Sequence, residues 1–135
     1  MDKDQRVAAI LGAADGLTLA VSLVFGRNTA VFHAALDAGI GEFVGMGAAL
    51  YLASARKGLG AALVCGLATL LGCVLPAVPF AVAGGWAARA ASVAVAVAVG
   101  AVICKLRPEK GWVAVAETYG VIIVAAALCF AVSFT

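Results

Sequence analysis

Long apolar stretches separated by short polar groups set the pattern of this chain. Five of them run approximately from Val7 to Phe25, Val31 to Leu52, Leu59 to Leu75, Ala83 to Ile103 and Val113 to Phe134. Each is close to the roughly 20 residues a helix needs to cross the hydrocarbon of a bilayer. The breaks carry turn formers and charge: Gly26-Arg-Asn28, Arg56-Lys-Gly58, the segment from Pro76 to Gly85, and Lys105-Leu-Arg-Pro-Glu-Lys-Gly111. Val93-Ala-Val-Ala-Val-Ala-Val99 alternates with period two, which in water would suggest a strand. In lipid an open strand leaves backbone groups unpaired, so this segment too is predicted to be helical. The pattern therefore predicts an all-α membrane protein, a single domain over residues 1–135 with five transmembrane helices and short links.

Composition strengthens that reading and narrows the function. Hydrophobic residues make up 65% of the 135 residues and charged ones 12%, with a mean hydropathy of +1.14, whereas soluble domains carry roughly 25% charge. Five crossings leave no room for a catalytic domain outside the membrane. No nucleophile with a nearby base and no cofactor fingerprint is visible, so an enzyme and a permanently bound cofactor are not expected. The net charge of +2 and the lack of a long Lys/Arg block argue against a nucleic-acid partner. The bilayer, identical subunits and a small solute remain as partners. Met1 to Arg6 lead into a span too long for a signal peptide, without a small-residue cleavage site, so the first helix is read as retained. Cys65, Cys73, Cys104 and Cys129 show no C-x-x-C spacing and read as small buried hydrophobes; Cys65, Thr69 and Cys73 form an i, i+4, i+8 packing line.

Charge at the ends of the spans predicts orientation. Lys3, Arg6, Arg56, Lys57, Lys105, Arg107 and Lys110 fall on one side, against Arg27 and Arg89 on the other. The excess places the N-terminus in the cytoplasm and the C-terminus outside. Trp112 and Trp86 then lie near the cytoplasmic and outer interfaces. The expected location is a multi-pass membrane protein, in the plasma membrane if the source is bacterial.

Four acids fall inside the apolar stretches: Asp15, Asp37, Glu42 and Glu117. Each costs about 2.5–3.5 kcal/mol on insertion scales and is a functional candidate by default. At about 1.5 Å per residue, Asp15 lies about 13 Å beyond Arg6, and Glu42 about 21 Å from Arg56 and about 16 Å from the other end of its span. The two share a mid-membrane depth. Glu117 lies about 9 Å inside Gly111 by the same measure, and Asp37 falls in the outer half. Asp15, Thr18 and Ser22 share one helix face, and Glu42 shares one with Met46 at i+4. Carboxylates suit iron(II) or manganese(II), and a thioether shifts preference toward softer transition metals. Asp15, Glu42, Met46, Asp37 and Glu117 are therefore the candidate metal path, with Thr18 and Ser22 as polar lining. The alternative is that the acids pair with Arg89 or hydrogen-bond between helices, and that Met46 is filler. His33, at i−4 from Asp37, is read as an interfacial histidine.

Gly12-x-x-x-Gly16 and Gly41-x-x-x-Gly45 predict close helix approach. Because five short helices enclose little volume, a hydrated path is easier to build between two copies, and a homodimer is expected.

The stretch Gly12-Ala-Ala-Asp-Gly-Leu-Thr-Leu-Ala-Val-Ser-Leu-Val-Phe-Gly26 resembles the first-helix pattern G-A-N-D-G-L of the vacuolar iron transporter family. Gly41-Glu-Phe43 is similar to that family's G-E-Y, and Gly72-Cys-Val-Leu-Pro-Ala-Val-Pro-Phe80 to its G-x-x-L-P-x-x-P-[FY]. The resemblance covers roughly residues 6–80 and implies a five-helix dimer that exports iron(II) or manganese(II) from the cytosol in exchange for protons. It implies Asp15 as the mid-membrane carboxylate of the path and Glu42 as the acid of the G-E-Y motif. Three departures stand out. Ala14 replaces the family's Asn, Asp37-Ala38 replaces its Ser-Met, and a short link around Arg56-Lys57 replaces its glutamate-rich cytoplasmic domain. The sequence thus resembles a minimal member lacking the metal-gathering domain. The leading expectation is a metal/proton antiporter. A non-transporting membrane scaffold, indifferent to Asp15→Asn, and a proton-coupled organic-cation exporter are the alternatives.

Overall fold

Asp2 and Gln5 determine where the first helix starts. The Asp2 carboxylate accepts from the Gln5 amide at 2.7 Å, and the Asp2 amide donates to the Gln5 side chain at 3.3 Å. This reciprocal cap satisfies two orphan donors, so α1 runs Lys3–Phe25, four residues longer at its start than hydropathy alone predicts. The computed structural model describes residues 1–26, 29–54 and 58–133, without the side chain of Ser133. The remaining helices are α2 (Val31–Ala53), α3 (Leu59–Ala77), α4 (Pro79–Val82), α5 (Gly85–Leu106) and α6 (Trp112–Ser133). Five of these are long and apolar enough to cross a membrane. The described residues contain no strand, and the alternating Val/Ala segment lies within α5. Arg27, Asn28, Arg56, Lys57 and Phe134, which figured in the predicted turns, charge count and last span, lie outside the described residues.

The region from Pro76 to Gly85 differs from the single turn expected there. Pro76 lies inside α3, which ends at Ala77 rather than Leu75; a helical proline is tolerated where neighbouring helices cover the freed carbonyl, and Pro76 is buried. Pro79 then starts the four-residue α4, its missing N–H harmless at a first helical position. Ala83 and Gly84 are extended, and Gly85 takes φ +61°, a left-handed conformation that suits glycine. This delays α5 by two residues relative to the predicted span.

The core is built where backbones meet. α3 lies against α1 and α2, while α1 also contacts α5 and α6. A Cβ placed on Gly12 would come within 2.2 Å of the Cys65 carbonyl oxygen, and one on Gly16 within 2.1 Å of that of Thr69. The Gly12/Gly16 face therefore seats α1 on α3, along the line of Cys65, Thr69 and Cys73. Those three residues are fully buried. The Thr69 hydroxyl donates to the Cys65 carbonyl at 2.9 Å and the Cys73 thiol to the Ala35 carbonyl at 3.3 Å. Gly66 plays the matching part for α2, where an added Cβ would lie 2.6 Å from the Phe43 carbonyl oxygen. In contrast, Gly41 has nothing within 4 Å, and α2 buries only Val31, Ala35 and Gly39.

Candidate functional site

α1 and α2 each bring one acid to the middle of the bundle. Helical geometry puts Asp15 near the centre of α1, next to Gly16, whose backbone rests on α3. Glu42 lies near the centre of α2. Both residues are half-buried, and both carboxylates are close enough to act electrostatically on the Cys73 thiol. Asp15 acts on Cys65 as well. The two acids thus flank the same stretch of α3 from neighbouring helices. Neither carboxylate forms a hydrogen bond or ion pair among the described residues.

The surroundings of the pair are short of donors. Thr18 donates its hydroxyl hydrogen to the Asp15 carbonyl at 2.8 Å, and Ser22 to the Leu19 carbonyl at 2.7 Å. Both hydroxyls are therefore committed to their own helix and present only oxygen lone pairs outward, which suits a cation better than an anion. The open side of α2 adjoins Glu42: a Cβ on Gly45 would stand 3.9 Å from Glu42 Oε2, with no other atom within 4 Å. The carboxylate therefore lies along the uncovered glycine face. Met46, one turn on, is half-buried. Among the described residues no group of three or more His, Cys, Asp and Glu side chains could hold a metal ion, so one copy offers two carboxylates rather than a closed cage.

The other candidates sit elsewhere. Asp37 and His33 are exposed on the first half of α2, His33 edge-on to the neighbouring Phe32 ring at 5.8 Å. Glu117 is held by Arg107, which also bonds Glu109 and, at 3.4 Å, the Thr118 hydroxyl. Arg107, Glu117 and Thr118 also line a groove of about 390 Å³ that reaches Ala14 and Thr18. The contact with Glu117 raises the Arg107 pKa above its usual value, with Glu109 adding to it. Arg89, weighed as a partner for the acids, instead stacks on Trp86 at 5.2 Å.

Two features had no sequence signal. Arg107 counts toward orientation in the sequence, but its grip on Glu117 spans ten residues across a turn, which no helical period connects. Ser92 reads as an ordinary small residue in α5, yet its hydroxyl is buried without a partner among the described residues. No family model, curated protein or solved structure matches the chain.

Proposed function

We propose that this chain is a secondary carrier that exports a divalent transition metal, iron(II) or manganese(II), from the cytosol in exchange for protons, working as a pair of identical copies with the N-terminus in the cytoplasm. The observation that carries this reading is the Asp15/Glu42 pair: two half-buried acids on adjoining helices, their carboxylates without a cation or hydrogen-bond donor among the described residues, beside an uncovered glycine face.

A bare carboxylate at mid-membrane depth is costly, and the cost falls when it is protonated or neutralised by a cation. A site that must hold one or the other, but not both, couples the two flows. The oxygen-rich setting from Asp15, Glu42, Thr18 and Ser22, with the Met46 thioether nearby, favours iron(II) or manganese(II) over larger hard cations. The resemblance of Gly12–Gly26, Gly41–Phe43 and Gly72–Phe80 to the vacuolar iron transporter family supports the same ion class.

Among the described residues, one copy brings no three such ligands together, and the Gly41/Gly45 face of α2 is open. Two copies meeting along α2 would bring two Glu42 carboxylates toward a common axis and double the oxygen donors. The excess of Lys and Arg at the ends that would face the cytoplasm supports the orientation.

The test is metal uptake into proteoliposomes, with iron(II), manganese(II), cobalt(II) and zinc(II) supplied in turn and a pH probe inside. Metal flux opposed by proton movement, and abolished by Asp15→Asn or Glu42→Gln, is the expected result. Absence of flux for every metal from a folded, dimeric protein would refute it.

A further inference from the structure

A second site lies on the other side of α1. Between α1, α5 and α6 is a cavity of about 270 Å³, lined by Val21, Val93, Val97, Ile122 and Ile123 among other apolar side chains. Two lining residues, Tyr119 and Ser92, each carry a hydroxyl, but neither turns polar surface into the cavity. That of Tyr119 is spent on the Val97 carbonyl at 2.7 Å. That of Ser92, a residue only 1% exposed, is the one buried side-chain polar atom among the described residues without a hydrogen-bond partner. A water needs two to four polar partners to be held, and apolar cavities stay dry, so water is a poor occupant. An apolar cavity of about 150 Å³ takes a benzene ring, and this larger one takes a chain of roughly ten carbons.

The α5 surface leading to the cavity has a definite order. Arg89, Ser92, Val93 and Ala96 recur at i, i+3, i+4 and i+7 and so share one face. Trp86, 80% exposed near the start of α5, is placed as an interfacial anchor, and Arg89 rests on its ring. Arg89 forms no ion pair with a carboxylate among the described residues. From the helix start inward, α5 presents a cation and then apolar wall. A phospholipid presents its phosphate and hydrocarbon in the same order.

The geometry points to a bound phospholipid: Arg89 meets its phosphate, and one acyl chain fills the cavity between α1, α5 and α6. The site is independent of the Asp15/Glu42 pair and of any transported ion.

The experiment uses purified protein in nanodiscs of phosphatidylcholine and phosphatidylglycerol, doped with phosphatidylglycerol bearing a diazirine midway along one acyl chain. After irradiation, labelled residues are mapped by peptide mass spectrometry. Label is expected on Val93, Val97, Ile122 and Ile123, falling at least fivefold in Ala96→Phe, which fills the cavity. Arg89→Gln is expected to reduce labelling about threefold with this phospholipid and to leave it unchanged with a diazirine-bearing fatty alcohol of the same chain length. Should Ala96→Phe fail to fold, Val97→Phe, which closes the cavity from its half-exposed rim, replaces it. Label spread evenly over exposed apolar residues such as Leu67 and Leu71, or unchanged in a folded cavity-filling variant, overturns the site. Equal loss for phospholipid and fatty alcohol in Arg89→Gln overturns the phosphate contact.

Discussion

Adding one methyl group at Gly16 tests the central contact of the bundle. The new Cβ would stand 2.1 Å from the Thr69 carbonyl oxygen and 2.8 Å from the Cys73 amide nitrogen. The first distance is roughly 1.3 Å short of ordinary contact. Both obstacles are backbone, so no side chain can swing away, and α1 must lift off α3 along the Cys65–Thr69–Cys73 line. Overpacking of this kind costs typically 1–3 kcal/mol, and a rigid obstacle argues for the upper end. Alanine recovers up to about 1 kcal/mol of helix propensity over glycine. The net expectation for Gly16→Ala is a loss of about 2 kcal/mol, or roughly 30-fold in the unfolding equilibrium. Gly12→Ala should cost nearly as much, and the double variant less than the sum, because one displacement relieves both clashes. Gly41→Ala, with nothing within 4 Å, provides the control and should leave the fold of a single copy unchanged. The assay is thermal unfolding in detergent, followed by helical circular dichroism and by a thiol-reactive fluorophore that reports the buried Cys65 and Cys73. A Gly16→Ala protein as stable as the parent, with equally protected thiols, would refute this account of α1 and α3.

Three further outcomes follow from the contacts around the bundle. Cys104 and Cys129, both partly exposed, should react with maleimide in the folded protein, whereas Cys65 and Cys73 should react only on unfolding; mass spectrometry of a labelling time course reads the order. Tyr119→Phe removes the bond from α6 to the Val97 carbonyl and should cost about 0.6 kcal/mol and no more than about 1.7, the range for interhelical bonds in lipid, measured by the same unfolding assay. For the proposed carrier, Glu117→Gln should lower metal flux less than twofold, against abolition in Asp15→Asn, because Glu117 is already committed to Arg107. That pair raises an already high guanidinium pKa. Its contribution is complete below the ordinary Arg range and is lost only above it, so stability scans between about pH 5 and 9 should show no step from Arg107.

Much of this protein follows from the order of its residues, because in lipid the backbone has few options. An apolar run near 20 residues must form a helix to satisfy its own hydrogen bonds, so five helices, including the alternating Val93–Val99 segment, could be read without coordinates. Acids inside such runs are conspicuous for the same reason, and helical spacing alone placed Asp15 and Glu42 at one depth. Other features depended on neighbours far along the chain. Both glycine pairs have the same spacing, yet Gly12 and Gly16 are spent on α3 within one copy while Gly41 and Gly45 stay open; which face meets which helix is a property of packing, not of period. Glu117 looked like Asp15 in sequence, but the turn after α5 swings Arg107 onto it. Ser92 was unremarkable in the sequence, yet packing buries its hydroxyl without a hydrogen-bond partner among the described residues. The hydrophobic pattern decides how many helices are long and apolar enough to cross a membrane and which residues in them are unusually polar; only the tertiary structure decides which of those polar groups find a partner within the bundle.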